Sequence, residues 1–125
     1  MTQTVARVFG IVFLLVGLLG LVTTPLSMEG GLLLGLFPVN VLHNLVHLGF
    51  GAWGLLAGGT LAGATAYCRI GGIAYLMLAV VGLLTPTGFG LVPIGGHDIW
   101  LHAVLGVILT AGGFLGRTVP AAARY

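Results

Sequence analysis

Four residues in this chain have the types and spacing that metal chemistry needs: His43, His47, Asp98 and His102. On a helix, His43 and His47 lie four positions apart and stack on one face. Asp98 and His102 repeat that spacing. Three imidazoles and a carboxylate suit zinc, copper or ferrous iron. Haem ranks second, with His47 and His102 as axial ligands and Gly51 and Gly106 making room for the ring. Small residues at helical spacing below the histidines favour a compact site over a macrocycle. His97, beside Asp98, is expected at an aqueous edge and is the weaker candidate.

Each of these residues also has a purely structural role open to it. Asp98 and Asn40 have side chains that cap helix N-termini, and Asp98 could instead pair with His102 one turn later. His43 could snorkel to water and His47 could hydrogen-bond across a helix interface. No serine or cysteine nucleophile accompanies a histidine. Cys68 is the one cysteine, so an intrachain disulfide is excluded, and it reads as a small buried side chain. No glycine-rich loop is followed by Lys-Ser or Lys-Thr, which excludes a phosphate cradle of that type.

The elements that position these residues must be membrane helices. The chain has 125 residues, of which only four are Lys or Arg and two are Asp or Glu. A soluble domain is about one quarter charged, so this surface is built for lipid. The uncharged runs 8–28, 30–68 and 70–97 can each supply the roughly 20 apolar residues of a span. So few charges give no basic patch, which excludes a nucleic-acid partner. Turn signals at Thr24-Pro25, Glu29-Gly30-Gly31, Gly58-Gly59-Thr60 and Thr85-Pro86-Thr87-Gly88 bound spans near Val5–Thr24, Val39–Gly59, Arg69–Thr85 and Asp98–Gly116. Met28–Leu34 is greasy for a loop, and is expected to lie along the interface as a short lid.

The two halves match each other. At an offset of 62, Arg7 aligns with Arg69, Gly10 with Gly72, Leu14 with Leu76 and Gly20 with Gly82. At an offset of 55, Pro38 aligns with Pro93, His47 with His102, Gly51 with Gly106 and Gly58 with Gly113. A span that recurs inside the chain is not a cleaved leader, so the first span belongs to the mature protein. The expected fold is an all-α membrane protein, one domain over 1–125. It is a four-transmembrane-helix bundle of two tandem two-helix repeats, 1–60 and 61–125, related by a pseudo-two-fold axis along the membrane normal.

All four arginines fall at the N-terminus, the central loop or the C-terminus, while Glu29 and Asp98 fall on the other side. The positive-inside rule then puts both termini in the cytoplasm and the histidines toward the outer leaflet. Trp100, Phe37 and Phe89 on the outer side, with Tyr67 and Tyr125 on the inner, suit aromatic belts.

Pro38-Val39-Asn40 leading into His43-Asn44-Leu45-Val46-His47, together with Asp98-Ile99-Trp100-Leu101-His102, resembles an uncharacterised family of small bacterial four-span membrane proteins, a domain of unknown function. Ile99 stands where that family often carries an asparagine. The resemblance implies a multi-pass protein of the bacterial cytoplasmic (inner) membrane and assigns no activity. The residues themselves favour a metal-binding or redox-accessory protein built on His43, His47, Asp98 and His102. The alternative is a non-catalytic helper that packs its Leu and Val surface against a larger membrane complex or a homo-oligomeric partner.

Overall fold

A computed structural model describes residues 1–116. Arg117, Arg124 and Tyr125, on which part of the orientation and belt expectations rest, lie outside the described residues. Helix α1 covers Thr2–Thr23 and α2 covers Val41–Ala57; α3 covers Leu61–Leu84 and α4 covers His97–Phe114. Strands β1, Gly31–Leu33, and β2, Phe37–Val39, form a short antiparallel hairpin between α1 and α2. A single 3-10 turn at Gly88–Gly90 lies between α3 and α4.

The ends of the helices follow local chemistry. Pro25 disfavours helical conformation at the residue before it, and Thr24 is extended. Asn40 caps α2, its side chain accepting from His43 N at 2.8 Å. Thr60 caps α3 in the same way, accepting from Gly63 N at 3.0 Å. The capped start at Leu61 carries α3 eight residues upstream of the expected boundary at Arg69. Arg69 does not end the helix because its charge is accommodated: Nε donates to Gly113 O at 2.8 Å and the guanidinium sits over the Phe114 ring at 4.6 Å.

Helices α1, α3 and α4 are long and apolar enough to cross a membrane; α2 is apolar but has only 17 residues. At about 1.5 Å per residue it spans roughly 25 Å. Leu15, Val22, Leu56, Met77, Leu83 and Val104 are among many large apolar side chains left on the outside, an exterior that fits a lipid bilayer.

The helices pack mainly as two hairpins, α1 on α2 and α3 on α4. Small residues let the backbones meet. A Cβ added at Gly51 would lie 2.7 Å from Leu14 N, and one at Gly106 would lie 2.8 Å from Leu76 N. Arg7 Nε donates to Gly58 O at 3.0 Å, as Arg69 does to Gly113 O. Between the hairpins lies a core of Ala6, Phe13, Ala64, Tyr67, Cys68, Tyr75 and Leu109. Aromatic rings dominate it: Phe13 stacks on Tyr75 at 5.3 Å, and Tyr67 lies 4.9 Å from both Phe50 and Trp53.

The structure corrects two expectations here. Tyr67 is not a belt residue but is fully buried in the core, because α3 begins early enough to carry it below its own first turns. The greasy loop after α1, expected as a short lid along the interface, is an ordered hairpin. Gly31–Leu33 and Phe37–Val39 pair as β1 and β2, closed by Leu34 and Gly35 at φ of 53° and 70°. Glycine takes that region freely, while a leucine there is uncommon.

Candidate metal centre

His43 stands on the first turn of α2 because Asn40 fixes where that helix begins. The Asn40 side chain is a junction: Oδ1 accepts from His43 N, and Nδ2 donates to Met28 O at 3.1 Å and to Leu91 O at 2.8 Å. One buried amide thus joins the loop after α1, the start of α2 and the segment before α4. Sequence reading identified Asn40 as a cap and missed the two further bonds. Its position one residue before a histidine-bearing helix was the available signal.

Asp98 lies in the first turn of α4, whose N-cap is Gly96 with φ of 62° and no side-chain cap bond. The expectation that Asp98 caps this helix is therefore corrected. The chain turns on a glycine, leaving Asp98 two residues past the cap position. The helix dipole still favours its negative charge there. Its side chain reaches α2, where Oδ2 lies 3.8 Å from His43 Nε2.

His43, Asp98 and His102 each offer one ligand atom, and the three atoms all lie within 4.8 Å of one another. All three residues are buried. Donors on one ion at about 2.0–2.2 Å stand roughly 3–3.5 Å apart, so small side-chain rotations bring this group to binding distance. Asp98 Oδ2, His43 Nδ1 and His102 Nδ1 are buried without a hydrogen-bond partner among the described residues. A buried carboxylate beside neutral imidazoles is costly unless a cation compensates it.

His47 is close but outside that convergent group. Its ring centroid is 4.6 Å from that of His43, and it stacks almost parallel on Phe13 at 5.8 Å. His102 is held comparably, by Tyr75 at 5.1 Å, and lies 6.2 Å from His43 ring to ring. His97 is exposed, as expected. Gly51 and Gly106, the positions expected to clear space for a haem, are filled by the Leu14 and Leu76 backbones.

A small apolar helical bundle of membrane character, with a buried His/Asp group able to hold a metal ion, is the class that fold and site define. Within that class the chain belongs to the family described as Domain of unknown function (DUF4383), whose model matches residues 3–115. No curated protein and no solved structure matches the chain.

Proposed function

We propose that the protein binds one divalent transition-metal ion through His43, Asp98 and His102, with His47 alongside, and serves as a metal or redox-accessory protein of the bacterial cytoplasmic membrane. The observation that carries this is the convergence of two imidazoles and a buried carboxylate, one of whose oxygens has no hydrogen-bond partner, from α2 and α4. Two histidines and one carboxylate leave coordination positions open, as in non-haem ferrous sites and catalytic zinc sites. Haem is disfavoured because the glycine clearance it needs is occupied by helix contact.

The same proposal takes the chain as a single domain that spans the membrane four times, with α2 as the shortest span and both termini cytoplasmic. Arg7 and Arg69 lie near one end of the bundle and the His/Asp group near the other, which supports that orientation. A tandem repeat of 1–60 and 61–125 is supported by matched contacts. Arg7 with Gly58 and Gly51 with Leu14 correspond, at the two alignment offsets, to Arg69 with Gly113 and Gly106 with Leu76. On that symmetry His43 and Asp98 are equivalent, and they face each other.

Metal analysis of the full chain, purified in mild detergent and dialysed against a chelator-free buffer, tests the site. About one equivalent of zinc, iron or copper is expected. A metal-free protein that carries a constant stoichiometric partner would favour the helper-subunit role instead.

A further inference from the structure

Beside the three converging ligands is a partly open cavity of about 220 Å³. His43, His47 and His102 line it, facing Tyr75, Val46 and Leu78. Val92 and Ile94, from the segment before α4, line it as well, and Val46, 49% exposed, brings one edge of the cavity to the apolar outside of the bundle. Its volume is below the roughly 300–1,000 Å³ of drug-sized ligand sites. Apolar walls disfavour an occupant whose charge the metal does not itself neutralise, since burying an unpaired charge is costly. What fits is a molecule of a few heavy atoms, uncharged and able to partition into lipid.

His47 gives the cavity a polar handle. It lies outside the metal-binding group, its ring is fixed by stacking on Phe13, and Nδ1 is buried with no partner among the described residues. A neutral imidazole can donate from one ring nitrogen and accept at the other.

We propose that this cavity is the pocket for a small neutral ligand of the metal, of the diatomic-gas class, admitted from the lipid phase and held at its outer atom by a hydrogen bond from His47. The inference rests on the metal reading above and adds the ligand class and a separate role for His47.

Nitric oxide is the probe. The full chain in detergent is loaded anaerobically with ferrous iron, its iron content is measured, and nitric oxide is titrated while the electron paramagnetic resonance signal of the iron adduct is followed. One adduct per bound iron is expected. His47→Phe should retain iron and release nitric oxide about tenfold faster, the change expected for one hydrogen bond of ordinary strength. Leu78→Trp, or Val46→Trp if the first does not fold, should retain iron and exclude the gas by filling the cavity. Iron bound without any nitric oxide adduct overturns the pocket while leaving the metal site intact. An adduct indifferent to both His47→Phe and the tryptophan variants overturns it equally. A wild-type chain that takes up no iron, zinc or copper defeats the metal reading, and this inference with it.

Discussion

At the histidine-bearing end of the α1–α2 hairpin, Asn40 caps the helix and Asn44 is fully buried against Gly20. At the same end of the α3–α4 hairpin, Gly96 stands at the cap without a side-chain bond, and Ile99 packs on Gly82. The opposite ends of the two hairpins are built alike, each with an arginine Nε on a glycine carbonyl. The hairpins therefore share the seams that hold their helices together and differ where the polar groups converge. Seams are constrained because a glycine against backbone tolerates no larger side chain. The histidine-bearing ends are free to differ, and there the first hairpin supplies His43 to the group while the second supplies His102 and the group's one carboxylate, Asp98. Two identical ends would have offered imidazoles without the negative charge that favours a divalent cation.

The largest effect expected from breaking this difference is on metal. His102→Ala should remove essentially all binding, beyond the roughly 10–100-fold lost when only an outer hydrogen-bond partner of a ligand is removed. His97→Ala should leave metal content unchanged. In the wild type, protons compete with the ion for the imidazoles, so occupancy should fall on acidification. Metal analysis across a pH series reads both outcomes, and retention of full occupancy in His102→Ala would remove His102 from the site.

The next effect concerns what the hairpins share. Gly51→Ala and Gly106→Ala should each destabilise by about 3 kcal/mol, the upper end for overpacking, because backbone atoms face the new methyl and cannot yield. Thermal unfolding in detergent should give the two variants similar losses; a loss confined to one hairpin would show that the seams are not equivalent. Asn40→Ala should cost about 2 kcal/mol, the upper end for a lost cap, since two further bonds disappear with it. It should also weaken metal binding by shifting His43, whereas Thr60→Ala, which removes a cap at the other end of the bundle, should affect stability alone. The smallest expected difference is between Arg7→Ala and Arg69→Ala. Both lose a carbonyl bond, but only Arg69 also lies over an aromatic ring, worth about 0.5–1 kcal/mol more.

Helices and seams were legible because apolar runs, proline and glycine act locally. Helical spacing put His43 with His47 on one face and Asp98 with His102 on another, which made the convergence of His43, Asp98 and His102 an expectation. Three features were not. The β1–β2 hairpin hid in a short leucine-rich loop whose turn uses a leucine at positive φ, where sequence signals expect glycine or asparagine. The start of α3 was masked by Arg69, since a charge reads as a membrane edge until its partner carbonyl on another helix is known. The separation of His47 from the converging ligands depends on which way each ring turns, and it is stacking on Phe13 that turns it.

The Asn40 junction has a consequence for how the protein is made. Its carbonyl partner at Leu91 lies 51 residues downstream, and Asp98 and His102 come later still. As synthesis proceeds from the N-terminus, α1 and α2 are complete while that partner and the acid are still absent. The first hairpin must then wait with its two histidines not yet covered by the second hairpin and with an incomplete clasp. The clasp can close only once the segment before α4 has arrived, so the site is among the last parts of the molecule to form. No metal ion can be captured by the full ligand set before the second hairpin has docked, which makes occupancy a record of completed assembly.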